Sequence, residues 1–240
     1  MKDFRIRYRN MSLGILWSLI NPLIMMGVLT FIFGGVFGGE RSPQFPLFVL
    51  CGLVPYNFFK DAWISGTVSI LLNANLVKRV PIPREVIPIA TVLSNCIHLA
   101  IQIALLLGLT LYFGLMPGSA WLWLLPLWAL YVVFVCGISL VTAAVNVYIR
   151  DVRYVVESLT LVLFWLVPIF YSFSIIPQKY AIVYRFNPVA ALVLAMRNIL
   201  MDRHAPPMSL VINMAIVAAV TFTAGLLIFA KLKPRFYEHI

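Results

Sequence analysis

Charged residues are scarce in this sequence. Only 11% of its 240 residues are Asp, Glu, Lys or Arg, whereas an ordinary globular domain has about 25%. Hydrophobic residues make up 62% of the chain, and the mean hydropathy is +0.99. This composition excludes a large soluble domain and predicts an integral membrane protein.

Residue patterns that carry chemistry are also missing. Cys51, Cys96 and Cys136 are widely spaced in apolar runs without partners at metal-ligand spacing, so we interpret them as packing residues. The glycine-rich stretch 34–39 lacks the lysine and the strand-to-helix context of a phosphate loop. The eight acidic residues are scattered, which disfavours an enzyme that needs paired carboxylates. We therefore expect no catalytic residue, metal or cofactor on this chain.

Long apolar runs dominate what is present. They do not alternate apolar and polar residues as the strands of a membrane barrel do, so the spans should be helical. The charge-free run 86–149 is too long for one span, and a Pro-Gly-Ser turn at 117–119 divides it. The sequence predicts an all-α membrane protein with one transmembrane domain, 1–240, and six spans. The predicted spans are 20–37, 46–72, 88–114, 121–148, 158–174 and 207–230.

Basic residues lie mainly between the apolar runs. The net charge of +10 therefore indicates contact with lipid headgroups and not with nucleic acid. If the N-terminus is cytoplasmic, inner segments hold twelve basic residues and outer segments five. The positive-inside rule then predicts that both termini are cytoplasmic.

A few polar residues fall inside predicted spans. Lys60 and Asp61 are adjacent, and the pair either neutralises itself or occupies a break in the second span; a proton relay is the alternative. His98 has no second metal ligand at a suitable spacing, so we expect a hydrogen bond to another helix.

Three cytoplasmic segments have a distinct character. Residues 1–18 place apolar and basic side chains on opposite sides of a helix, which indicates an interface helix or a simple orientation signal. Residues 75–88 contain three prolines between two spans and predict a rigid elbow. Residues 150–157 carry charges of both signs at helical spacing, so this face either meets water or docks a protein.

The outer side has its own unusual stretch, residues 175–201. Its apolar part is too short to span, while Asn187 is a potential N-cap and Pro188 fits the first helical position. We predict a pair of short helices that enter the outer leaflet and return. Aromatic residues cluster at the exit of the fifth span and in the first span, where they either anchor the helices or contact the cargo, by stacking on sugar rings or sliding against acyl chains.

Six motifs occur in a defined order along the chain. They cover residues 5–22, 52–59, 75–88, 146–153, 164–171 and 186–188. In this order they resemble the permease subunits of type-2 ABC exporters for lipid-linked polysaccharides, which include O-antigen, capsule and teichoic-acid exporters. The resemblance covers essentially the whole chain. It implies a homodimer in the bacterial or archaeal cytoplasmic (inner) membrane, with two copies of a partner ATPase that carry ATP and Mg.

The resemblance also implies roles for particular residues. The ATPase-coupling residues it implies are Arg5, Arg7, Lys78, Arg79, Pro81, Arg84, Glu85, Arg150, Asp151 and Arg153. The substrate path it implies holds Phe31, Phe33, Trp165, Phe170 and Tyr171, and the outer gate holds Asn187, Pro188 and Arg197. A type-2 ABC permease for drugs or small lipids and an integral membrane glycan or lipid transferase are the alternatives.

Overall fold

A computed structural model describes most of the chain. The described residues are 17–36, 42–79, 83–175, 177, 179, 184 and 186–239. Nearly all of the interface helix predicted over 1–18, with Arg5 and Arg7, lies outside the described residues, and so does Pro81. Within these ranges, every regular element is helical.

Helices make up most of the described residues. In chain order they are α1 (Trp17–Leu29), α2 (Phe45–Leu72), α3 (Ala74–Arg79), α4 (Val86–Tyr112), α5 (Leu124–Tyr148), α6 (Val152–Leu166), α7 (Pro188–Leu200), α8 (Met208–Leu232) and α9 (Phe236–His239). A wider helical turn, Thr30–Val36, extends α1, and a tighter one, Ser119–Trp123, precedes α5.

Five helical stretches in the described part of the chain are long and apolar enough to cross a membrane. They are Trp17–Val36, Phe45–Leu72, Val86–Tyr112, Ser119–Tyr148 and Met208–Arg235. Each coincides within a few residues with a predicted span. The prediction of an all-α, multi-pass membrane protein is confirmed.

The fifth predicted span, 158–174, differs in its bounds from the helix that the structure shows there. Helix α6 has 15 residues, begins at Val152 and ends at Leu166. It rises only about 22 Å, against a hydrocarbon thickness of about 30 Å. Pro168 explains the end, because proline has no N–H to continue the helix and holds the preceding residue extended; Val167 has ψ 136°. The count of six spans stays a prediction.

Helix α2 lies at the centre of the bundle and contacts α1, α4, α5, α6 and α7. Polar groups join it to α5: the Thr67 and Thr142 hydroxyl oxygens are 2.7 Å apart, and the Asn146 amide donates to the Thr67 carbonyl over 3.2 Å. Such bonds tie helices together where lipid offers no competing hydrogen bond.

Helices α5 and α8 approach each other through glycines. A Cβ atom on Gly225 would lie 2.5 Å from the carbonyl oxygen of Gly137. A Cβ atom on Gly137 would lie 2.6 Å from the backbone nitrogen of Phe222. The two backbones therefore touch, which only residues without side chains allow.

A compact apolar cluster closes one end of the bundle, which we call the elbow end. Its buried members are Ile70, Val77, Ile87, Leu140, Ala143, Ala144, Val147, Phe229 and Phe236. Because they come from α2, α3, α4, α5, α8 and α9, the cluster packs both described ends of the elbow, the end of α5 and the C-terminal turn together.

A candidate coupling surface and translocation path

The charged segments predicted to couple to an ATPase lie together at the elbow end. Lys78 and Arg79 close α3, and Arg150 and Asp151 form the turn between α5 and α6; all four are exposed. Val77 and Val147 pack in the same buried cluster, which brings the two segments to one surface. The structure thus brings charged residues about 70 positions apart in sequence to the same end of the bundle.

Arg84 and Glu85, also predicted to couple, have partners within the chain. Arg84 Nη1 donates to the carbonyl of Lys233, and Lys233 Nζ lies 3.4 Å from Glu85 Oε1. The Arg84 guanidinium also lies 6.0 Å from the centroid of the buried Phe236 ring. These residues bind the C-terminal turn to the elbow. Sequence reasoning missed Lys233 and Phe236 because no local pattern links positions so far apart.

Arg153 presents a charged face on the first turn of α6. Its Nε donates to Glu157 Oε1 over 2.8 Å, one helical turn along. This hydrogen bond raises the pKa of the Arg153 guanidinium. Both side chains face outward, so the pair is available to a docking protein.

Four of the five predicted path aromatics meet at the exit of α6. The rings of Phe33 and Phe170 stack with centroids 4.4 Å apart, and Trp165 and Tyr171 each contact Phe170 at 5.4 Å. Phe31 is 70% exposed and has no ring contact within the described ranges. Phe31 lies on the helical turn that extends α1, but not on the face that joins this aromatic cluster, and its role in the path stays a prediction.

Two further residues extend the aromatic cluster toward α2. The ring of Tyr56 lies 5.2 Å from that of Phe164, and the Tyr56 hydroxyl donates to the carbonyl of Thr160. Both belong to motifs that the sequence singled out, but the motifs alone did not show that α2 and α6 bring them together.

After α6 the chain runs as an irregular segment, residues 167–171, which we call the break. A Cβ atom on Gly52 would lie 2.8 Å from the Cα atom of Ile169, so the break is pressed against α2. Val167 and Ile169 are fully buried. The Tyr171 hydroxyl donates to the carbonyl of Leu166 over 2.7 Å and satisfies a helix end that Pro168 leaves open.

Arg197 on α7 joins three elements. Its Nη2 donates to the carbonyl oxygens of Ile169, at 2.7 Å, and Phe48, at 3.3 Å. Its guanidinium carbon lies 3.4 Å from the centroid of the Phe48 ring. Burial lowers the pKa of Arg197 to about 10, which leaves the side chain charged at neutral pH. The predicted gate residue thus holds the break to α2.

The start of α7 confirms the predicted cap. The Asn187 side chain accepts from the backbone N–H groups of Val189 and Ala190 at 3.0 and 3.5 Å, and Pro188 is the first helical residue. The helix is buried along most of its length, between the ends of neighbouring helices. Most of the first helix of the pair predicted over 175–201 lies outside the described residues.

Loss of this cap should loosen α7. Asn187→Ala removes both acceptor contacts and is expected to lower the free energy of unfolding by about 1 kcal/mol. Asn187→Ser, which keeps an acceptor, should lower the free energy of unfolding by only about a few tenths of a kcal/mol. Denaturant unfolding in detergent, followed by tryptophan fluorescence, measures the difference. Equal stability of the two variants would contradict the role of the cap.

A polar cavity of about 610 Å³ lies among α1, α2 and α4. Its lining residues are Trp17, Ser18, Asn21, Pro22, Met25, Asn57, Lys60, Asp61, His98 and Gln102. Lys60 Nζ lies 3.5 Å from Asp61 Oδ1, and α2 continues unbroken there, so the two charges neutralise each other. Gln102 is buried, and its Oε1 has no hydrogen-bond donor among the described residues. Sequence reasoning missed this cavity because its residues come from three separate helices.

Comparison with known proteins identifies the family. The family described as ABC-2 type transporter matches residues 1–201. The O-antigen export system permease protein RfbA of Klebsiella pneumoniae is 31% identical over 99% of this chain and 91% of the relative. The protein of the same name in Myxococcus xanthus is 27% identical over 100% of this chain and 92% of the relative. The polysialic acid transport protein KpsM of Escherichia coli is 25% identical over 95% of this chain and 90% of the relative. The chain therefore belongs to the ABC-2 type transporter family and is a transport component, not an enzyme.

Proposed function

We propose that this chain is the transmembrane subunit of an ATP-driven exporter that moves lipid-linked polysaccharide, of O-antigen or capsule type, across the bacterial inner membrane. The similarity to an O-antigen export permease over 99% of the chain carries this proposal. A permease for drugs or small lipids shares the helical plan, and the cargo assay below separates the two. The membrane transferase considered from the sequence has no support in the family match.

The partner in this proposal is a separate ABC ATPase subunit, which carries ATP and Mg. Two copies of it dock on a homodimer of this chain, with both termini of each chain in the cytoplasm. The docking surface is the exposed charge at the elbow end: Lys78, Arg79, Arg150, Asp151 and Arg153. Salt-bridge complementarity with an ATPase surface would steer and orient the complex.

Helix α6 is a direct mechanical link between this surface and the path. It runs without interruption from the Arg153–Glu157 pair to Leu166, next to the break. A helix of this length can move as a rigid body when a partner displaces its first turn. The irregular residues 167–171 can then take up the change in backbone conformation. Closure of the ATPases would thereby shift the aromatic cluster.

The path offers two kinds of surface for a glycan. The aromatic rings packed around the buried Phe170, of which Trp165 is 57% exposed, present an apolar surface at the exit of α6. The polar cavity among α1, α2 and α4 supplies hydrogen-bonding groups such as Asn57 and Gln102 inside the membrane region. Neither surface demands one particular sugar, which suits passage of a polymer.

Co-purification of partner proteins, together with a strain that lacks the chain, tests the proposal. The tagged chain is purified in mild detergent from its native membrane, co-purifying proteins are identified by mass spectrometry, and ATPase activity is assayed. In parallel, a strain without the chain is tested for polysaccharide on its surface. We expect an ABC ATPase in equal amount, and loss of surface polysaccharide with the lipid-linked polymer retained inside. Normal surface polysaccharide in that strain would refute the cargo assignment.

Charge reversal at the elbow end should uncouple export. Arg153→Glu places like charges at positions 153 and 157 and opposes the complementary charge of a partner, so we expect about tenfold weaker ATPase binding and a matching loss of export. The variant should still insert, because residue 153 is exposed. Quantitative co-purification and surface polysaccharide are the measurements.

Arg203→Glu is the matched control, since Arg203 is an exposed basic residue at the opposite end of the bundle, where it bonds the Gly114 carbonyl. It should bind the ATPase and export normally. Full export by Arg153→Glu would contradict the coupling assignment.

A further inference from the structure

A second cavity, of about 540 Å³, lies at the end of the bundle opposite the elbow, and we call it the outer-end cavity. It is enclosed by the start of α2, the residues after the break, α7 and the start of α8. Its lining residues are Ser42, Gln44, Phe45, Phe48, Ser172, Phe173, Leu194, Arg197, Asn198, Met201, Asp202, Pro207 and Leu210. Its size lies within the range of small-ligand sites, roughly 300–1,000 Å³.

Arg197 lines this cavity, and only some of its hydrogen-bond donors have acceptors. It is 6% exposed, and Nη2 donates to the carbonyls of Phe48 and Ile169. Nε and both N–H bonds of Nη1 have no acceptor in the part of the chain that the structure describes. Three of the five N–H bonds of a buried guanidinium are therefore unpaired.

The charge of Arg197 faces the Phe48 ring and two carbonyl oxygens, but it has no carboxylate partner among the described residues. Asp61, Glu157 and Glu85 form ion pairs with Lys60, Arg153 and Lys233. No described carboxylate, including Asp202 in the lining of the same cavity, lies within ion-pair distance of Arg197. A buried cation without a counter-ion carries a large desolvation penalty. An anion beside Arg197 would supply the missing negative charge, and a small rotation of the guanidinium would bring the buried Nε and Nη1 donors to it.

The chemistry of the wall favours a phosphate group. Guanidinium groups bind phosphate through several charge-assisted hydrogen bonds, and a phosphate offers oxygens enough for three unpaired donors. Ser42, Gln44 and Asn198 add neutral donors to the same wall. Asp202, the acidic lining residue, repels the phosphate charge but can accept a hydrogen bond from a hydroxyl on the ligand.

We propose that the outer-end cavity binds a phosphate group, as free phosphate or as the headgroup of an anionic phospholipid, with Arg197 as its central contact. The site is independent of the proposed cargo and of ATPase docking. Binding there stabilises the attachment of the break to α7 and α2, because the same side chain holds Ile169 and Phe48.

Direct binding to the full-length chain in neutral detergent tests the proposal. Equilibrium dialysis at constant ionic strength uses labelled inorganic phosphate in one arm and short-chain phosphatidylglycerol in another, with short-chain phosphatidylcholine as a zwitterionic control. We expect saturable binding of one equivalent per chain in at least one of the first two arms. Binding in both identifies a general phosphate site, whereas binding of phosphatidylglycerol alone identifies a headgroup site.

Two variants probe the contact in different ways. Arg197→Gln removes the charge and should abolish binding, while Arg203→Gln, which removes an exposed charge at the same end, should leave it unchanged. Because Arg197→Gln also loses the bonds to Phe48 and Ile169, Asn198→Leu serves as a milder change in the cavity wall. It should weaken binding about tenfold, the worth of one good hydrogen bond.

No saturable binding of either phosphate or phosphatidylglycerol by the wild-type chain would overturn the proposal, whatever the variants do. Equal affinity of the wild type and a folded Arg197→Gln variant would overturn it as well. Export activity is not part of the readout, so a wrong cargo assignment does not affect the outcome.

Discussion

Gly52→Leu is expected to abolish export while the chain still inserts into the membrane. The Cβ atom of any other residue at position 52 would meet Ile169 backbone atoms at 2.8 to 3.1 Å. Backbone cannot rotate away as a side chain can, so the break must move off α2. That movement pulls Ile169 from Arg197 and displaces the aromatic cluster around Phe170.

Surface polysaccharide and unfolding of the purified chain measure the effect. We expect loss of export together with about 1–3 kcal/mol lower stability, the usual cost of overpacking. Gly108→Leu is the matched control, because Gly108 lies in α4 with nothing within 4 Å of its Cβ position. Normal export by Gly52→Leu would show that the position of the break is irrelevant to transport.

Gly137→Leu is expected to have the largest effect on stability. The two glycines at the α5–α8 crossing, Gly137 and Gly225, let the helix backbones touch, and a side chain on either one would occupy the space of the other helix. We expect a loss of about 3 kcal/mol or more, the upper end of overpacking costs, with much lower amounts of folded protein.

Unfolding in a mixed-detergent titration and the yield of monodisperse protein test this prediction, again against Gly108→Leu. Gly137→Ala should fall between the wild type and Gly137→Leu, because its single methyl group meets backbone at 2.6 Å. A Gly137→Leu variant as stable as the control would mean that α5 and α8 do not pack at this crossing.

The spans illustrate what hydropathy can and cannot predict. A run of about 20 apolar residues has few alternatives to a membrane helix, so five of the six predicted spans agree with observed helices within a few residues. The predicted span 158–174 does not agree, although Pro168 was visible in the sequence. A composition window treats residues 158–174 as one apolar run, whereas the loss of one N–H and the extended Val167 end the helix at Leu166.

The site residues also divide into those that local sequence predicts and those that only the tertiary structure brings together. The cap at Asn187 was predictable because its partners lie two and three residues away. The resemblance implied that Arg84 couples to the ATPase, and only the structure showed that it reaches Lys233, 149 positions along the chain. Among the path aromatics, Phe33 and Phe31 looked equivalent, and only the rotation of α1's extension separated the ring that stacks from the ring that is exposed.

By itself, the sequence determined that this protein is a helical membrane protein, where most helices run, and which segments carry charge. These are local properties, since hydropathy, proline and capping act within a few residues. The tertiary structure decided which residues meet: Gly52 with Ile169, Gly137 with Gly225, and Arg197 with the break and the outer-end cavity. Those contacts depend on helix rotation and crossing, which many side chains set jointly through close packing and which no single motif encodes.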